Sequence, residues 1–80
     1  SVYTVYTEKV QSHGRVDCIL ETSDFVYIFE FKLDGTADEA LLQIQEKGYA
    51  REYESDGRTL YRIGAVFSSE TGTIEDWKTE

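Results

Sequence analysis

The stretch Asp24–Lys32, DFVYIFEFK, constrains this chain more than any other. Six of its nine residues are β-branched or aromatic, the composition of a strand buried on at least one face. Two charges, Glu30 and Lys32, interrupt it. Residues at i and i+2 of a strand point to the same side, so a carboxylate and an ammonium project together from an otherwise apolar ribbon. Charges in that setting need partners or a chemical role.

The segments around this strand supply its neighbours. Val2 to Val10 (VYTVYTEKV) alternates and is rich in Val, Thr and Tyr, a strand pattern. Gln11 to Gly14 is a turn, Arg15 to Leu20 (RVDCIL) a second strand, Glu21 to Asp24 a second turn, and Phe25 to Leu33 the third strand. Connections this short imply an antiparallel meander. A hairpin loop of two residues (Thr22, Ser23) or four (Glu21 to Asp24) pairs Leu20 with Phe25. It also sets Asp17 opposite Ile28 and diagonal to Glu30, so that Asp17, Glu30 and Lys32 share a face. A loop of three or five turns Asp17 away. In the first register the opposite face collects Val16, Cys18, Leu20, Phe25, Tyr27, Phe29 and Phe31, and that face is expected to be the core.

Beyond Leu33 the pattern becomes helical. Thr36 followed by Glu39 is a capping-box pair. Ala37, Leu41, Ile44 and Gly48 recur as an apolar stripe that can lie on the sheet, with Gly48 expected to allow close packing. Gln43 and Lys47, at i and i+4, run along the border of that stripe. Asp56-Gly57 is expected to end the helix. Leu60 to Ser68 (LYRIGAVFS) is a fourth strand reached by a helical crossover, hence parallel to its neighbour. Thr73 to Trp77 is expected to be an edge strand or turn whose Ile74 and Trp77 cap the core. The fold class is therefore α/β, a three-stranded antiparallel meander, a crossover helix and further strand in a mixed sheet.

Composition narrows the function. Eighty residues form one small domain, 1–80, with a thin core. The chain begins with Ser1 and contains no Met, so a piece of a longer protein is expected. A single cysteine excludes an internal disulfide; Cys18, in an apolar strand, is expected to be a buried thiol in a reducing, cytoplasmic setting. No run of apolar residues reaches membrane-spanning length. Sixteen acidic residues against eight basic ones give a net charge of −8, which opposes autonomous binding to a phosphate backbone. His13 has no second His or Cys near it in sequence for a zinc site.

Arg15-Val16-Asp17, twelve intervening residues, Glu30-Phe31-Lys32 and a following helix with Gln43 together resemble the core of the PD-(D/E)XK nuclease superfamily. More narrowly, the segments GRVD, YIFEFKLDG, ADEAL, QIQEKGYA, IGAVFSSET and IEDW resemble the nuclease-like C-terminal domain of bacterial proteins with an N-terminal AAA-type ATPase domain. The resemblance implies a restriction-endonuclease-like core without its N-terminal helix. It implies Asp17, Glu30 and the backbone carbonyl of Phe31 as ligands of Mg²⁺ or Mn²⁺, and Lys32 as the residue that positions or deprotonates water. Gln43 would orient substrate or water from the helix, and Lys47 or Tyr49 would touch phosphate. The implied partners are nucleic acid, with DNA favoured, and an ATPase domain in the same chain. The chain departs from the family pattern in having Val16 where Pro is usual and Lys47 where related nucleases often have tyrosine.

Plainer alternatives exist for the same residues. Glu30 and Lys32 also suit a same-face salt bridge on a solvated edge, with Arg15 facing Glu30 across the hairpin. Asp17 alone suits a surface residue or a structural hydrogen-bond acceptor. A catalytically silent domain that docks or assembles an associated ATPase would keep the fold and lose the chemistry.

Overall fold

A computed structural model describes the backbone of residues 4–10 and 15–80 and the side chains from residue 18 onward. The turn expected at Gln11 to Gly14, with His13, and the first residues of the first strand lie outside the described residues. Five strands form one sheet in the order β1-β2-β3-β4-β5. They are β1 (Thr4–Val10), β2 (Arg15–Glu21), β3 (Phe25–Leu33), β4 (Thr59–Phe67) and β5 (Ile74–Thr79), with helix α1 (Ala37–Lys47) and a 3₁₀ turn (Arg51–Tyr53) between β3 and β4. The first three strands are an antiparallel meander, β4 runs parallel to β3, and β5 is antiparallel to β4. The α/β class and mixed sheet expected from the sequence are present.

The β2–β3 hairpin is displaced by two residues along β3 from the expected register. Thr22 N–H donates to the carbonyl of Phe25 at 2.8 Å, and the Thr22 hydroxyl accepts from the amides of Asp24 and Phe25. The loop residues are therefore Ser23 and Asp24, and Asp17 stands opposite Glu30 instead of Ile28. A shift by one full pair preserves the faces, because side-chain direction has a period of two.

Helix α1 starts as its sequence dictates. The Thr36 side chain accepts from Glu39 N–H at 3.1 Å and the Glu39 carboxylate accepts from Thr36 N–H at 2.9 Å, a complete capping box. Asp76 on β5 takes the next amide, that of Ala37, at 3.2 Å. The helix ends earlier than expected, at Lys47. Gly48 takes the left-handed conformation (φ 70°) and its N–H donates to the carbonyls of Ile44 and Gln45, a C-terminal cap that glycine makes without a Cβ penalty. Asp56-Gly57 therefore belongs to the connection that follows.

The largest correction concerns the core. Val26, Ile28 and Glu30 on β3 are fully buried, as are Ala40 and Ile44 of α1 and Val66 of β4, and Ala37 and Leu41 of α1 are nearly so. The core is thus on the side of the sheet that carries Glu30. The face expected to be core holds a ladder of half-buried rings, with Phe25 at its exposed end: Phe25, Tyr27, Phe29 and Phe31 along β3, with Tyr61 and Phe67 of β4. Successive ring centroids lie 5.4–6.4 Å apart. One helix covers one face, and it chose the face where it can approach most closely. Gly64 on β4 is the reason: a Cβ there would stand 2.6 Å from the carbonyl oxygen of Ala37 and 3.0 Å from the Cβ of Ala40. The close approach assigned to Gly48 is made at Gly64. Two smaller corrections follow from the same geometry. Ile74 and Trp77 on edge strand β5 are 50% and 66% exposed and cap nothing, and Cys18 is half-buried.

Candidate functional site

Strand β3 carries Glu30 to the centre of the helix-covered side, where its side chain is completely excluded from solvent. The backbone register places Asp17 of β2 directly opposite it and Gly64 of β4 on its other flank. Residues directly opposite in an antiparallel pair have Cα atoms about 4.5–5.5 Å apart. That is closer than the diagonal pairing expected from the sequence, and it keeps positions 17 and 30 on one face. Arg15 stands opposite Lys32 in this register.

The two lysines divide differently from the expectation. Lys32 donates from Nζ to the carbonyl of Asp34 at 3.0 Å, folding over the turn in which Asp34 and Gly35 both have positive φ (59° and 100°). Lys47, from the last turn of α1, places Nζ 3.5 Å from Glu30 Oε1. Among the described side chains the ammonium on Glu30 is therefore the helix lysine. The same Nζ lies 5.5 Å from the ring centroid of Tyr49. The helical spacing puts Lys47 on the border of the apolar stripe, and the family resemblance implies that it or Tyr49 touches phosphate. Its capture by Glu30 follows from the small residues Gly64, Ala37 and Ala40, which bring α1 down onto β3 and β4.

Gln43 is half-buried one turn before Lys47 on the same border, and its Nε2 donates to Glu46 Oε2 at 3.4 Å. The ring of Phe31 is on the far side of the sheet, stacked with Phe29 at 5.6 Å. The turn after β3 is fastened to the end of β4. Asp34 N–H donates to the carbonyl of Phe67 at 2.8 Å, and Asp34 Oδ1 accepts from Ser69 N–H at 2.9 Å. That bond from Ser69, with Lys32 nearby, holds the Asp34 carboxyl below its ordinary range.

Among the described side chains no three His, Cys, Asp or Glu residues gather on one point. What the described residues do bring together is one buried carboxylate and one ammonium. A carboxylate at zero exposure already draws an ammonium, and its sheet neighbour at position 17 is a second acidic residue. Carboxylate and carbonyl oxygens are the ligand types that ions of the Mg²⁺ class take. A separate cleft of about 390 Å³ lies at the C-terminal end of α1, lined by Ile44, Gly48, Arg51, Glu54 and Arg62 among others. It includes none of Asp17, Glu30, Lys32 or Gln43, and its charges are mixed in sign. No helix among the described residues is long and apolar enough to cross a membrane.

A family model described as PD-(D/E)XK nuclease superfamily matches residues 1–77. An uncharacterised protein encoded in the 5′ region of vnfD in Azotobacter chroococcum mcd 1 is 35% identical over 78 residues. That alignment covers 95% of this chain and 15% of the relative, so the chain spans less than a sixth of the relative's length. No solved structure matches.

Proposed function

Because the chain belongs to the PD-(D/E)XK nuclease superfamily, we propose that it is a metal-dependent nuclease domain hydrolysing phosphodiester bonds in nucleic acid, with DNA the favoured substrate. The observation that carries this reading is the direct opposition of Asp17 to the fully buried Glu30 on the helix-covered side of the sheet. In it Asp17, Glu30 and the Phe31 carbonyl hold Mg²⁺ or Mn²⁺. Such an ion supplies an activated water at neutral pH and neutralises charge on the scissile phosphate.

The chain's own residues do the rest. Glu30 and Asp17 fix where the ion sits, because both are carried by paired strands instead of loops. Lys32 positions the attacking water and offsets the negative charge that develops on the phosphate. To reach it, its ammonium gives up the Asp34 carbonyl, a loss of about 0.5–1.5 kcal/mol for one exposed hydrogen bond. Gln43 orients the substrate from α1, and Lys47 or Tyr49 offers a further contact to phosphate. The domain works within a longer, cytoplasmic protein whose N-terminal part is an AAA-type ATPase domain. That context also answers the net charge of −8, since the basic surface for nucleic acid would come from elsewhere in the protein.

The deciding experiment is a calorimetric titration of the chain with Mn²⁺, beside Asp17→Asn and Glu30→Gln. Stoichiometric binding lost in both variants is the expected result, followed by Mg²⁺-dependent cleavage of DNA that disappears in Lys32→Ala. Binding that persists in both variants would refute the site. A second reading, a catalytically silent domain that docks the ATPase, is favoured by the acidic surface and by Lys32 being engaged with its own turn. It expects loss of assembly when the domain is deleted and no effect of Lys32→Ala.

A further inference from the structure

The feature that the proposed chemistry leaves unused is the ion pair between Lys47 and Glu30. We propose that Lys47 is a built-in counter-cation of the metal site: its ammonium neutralises Glu30 while the site holds no metal, and a divalent ion displaces it from the carboxylate. This rests on the proposed metal site and adds a residue to it.

Three observations support exchange in preference to a fixed structural pair. First, Glu30 is wholly buried, and an ionised carboxylate there requires a positive partner. Second, the pair is loose. The 3.5 Å separation exceeds the roughly 2.7–2.9 Å of a tight charge-assisted bond. Third, the ammonium has a way out. Lys47 keeps 21% of its side chain exposed, sits in the last turn before the Gly48 cap, and already lies 5.5 Å from the Tyr49 ring centroid. A distance below about 6 Å is within reach of a cation–π contact. On leaving Glu30 the ammonium therefore has both solvent and an aromatic face to receive it. Lysine suits this role better than arginine, whose planar fork would grip the carboxylate through two bonds and yield less readily.

The prediction is a graded series. Mn²⁺ affinity is measured by calorimetry under one fixed set of solution conditions for the wild-type chain, Lys47→Met and Lys47→Arg. Lys78→Met, which removes an exposed lysine paired with Asp38 across 2.9 Å, serves as the control for net charge. The expected order is Met tightest by several-fold, lysine next and arginine weakest, with Lys78→Met close to wild type. Thermal melts give a second readout: Mn²⁺ should raise the melting temperature of Lys47→Met by more than that of the wild type. If Lys47→Met does not fold, the order of the lysine and arginine chains still decides. Equal affinities, a reversed order, or the same gain in Lys78→Met would overturn the role of Lys47 while leaving the metal site intact. Absence of Mn²⁺ binding throughout the series would overturn both.

Discussion

Gly64→Ala tests the packing on which the candidate site depends. A single methyl group is added on the helix-facing side of β4, beside Glu30 in the register. The new Cβ would lie 2.6 Å from the Ala37 carbonyl oxygen, 3.0 Å from the Ala40 Cβ and 3.1 Å from the Leu41 amide nitrogen. Two of those three atoms belong to the helix backbone, so no side-chain rotation relieves the contact. The helix must lift or slide. Overpacking of this kind costs about 1–3 kcal/mol, and a backbone obstacle places the change toward the upper end. An opposing term exists, because removing a glycine stiffens the unfolded chain and stabilises by about 0.4–1 kcal/mol where the native conformation tolerates it. The steric term wins, because the obstacle is helix backbone. A net loss near 2 kcal/mol corresponds to a melting-temperature drop of about 8–16 °C for a domain of this size. Urea unfolding followed by circular dichroism would show a lower midpoint, and weaker Mn²⁺ binding should accompany it as Lys47 and Gln43 move with α1. A midpoint equal to or above that of the wild type would refute the close approach, and with it the account of why the core lies on the Glu30 side.

Three further outcomes follow from the same structure. Ile28→Ala, at a fully buried position, should cost about 2–5 kcal/mol, and Ile28→Lys should abolish the cooperative melt that Phe29→Lys, on the half-exposed aromatic face, retains. Thr36→Ala removes the hydroxyl that caps α1 and should cost about 0.5–2 kcal/mol by urea unfolding, with Thr36→Ser recovering most of it. Asp34 and Asp56 are both held below their ordinary value of 3.8, Asp34 by the Ser69 amide and Asp56 by Arg58. A carboxyl whose pKa is lower when folded contributes stability that is complete above its unfolded pKa and is lost as pH falls through the folded value. Melting temperature should therefore decline below about pH 4, and less steeply in the double variant Asp34→Asn, Asp56→Asn.

Much of the frame was legible because local rules acted alone. Short connections forced the meander, Thr36 and Glu39 announced the helix start, and the helix between β3 and β4 dictated their parallel pairing. The candidate site was legible in its parity. Any even hairpin loop keeps Asp17 and Glu30 on one side, whichever pair closes it. The closing pair itself was not legible, since Thr22 serves equally as loop residue and as the hydroxyl that binds the loop amides.

The sequence by itself determined the order of the elements and the shared face of Glu30 and Lys32, because strand periodicity and capping depend only on near neighbours; Asp17 joins that face through the two-residue hairpin loop that the structure shows. Which face became the core was decided by tertiary structure. β3 is apolar on both sides, with Val26 and Ile28 on one and four aromatic rings on the other, so its pattern is silent about which side a single helix covers. The choice fell to Gly64, thirty-four residues after Glu30 in the chain and beside it in the sheet. Its missing side chain lets the alanines of α1 seat against β4. That seating buries Glu30 and delivers Lys47 to it, a contact that no spacing along the chain encodes.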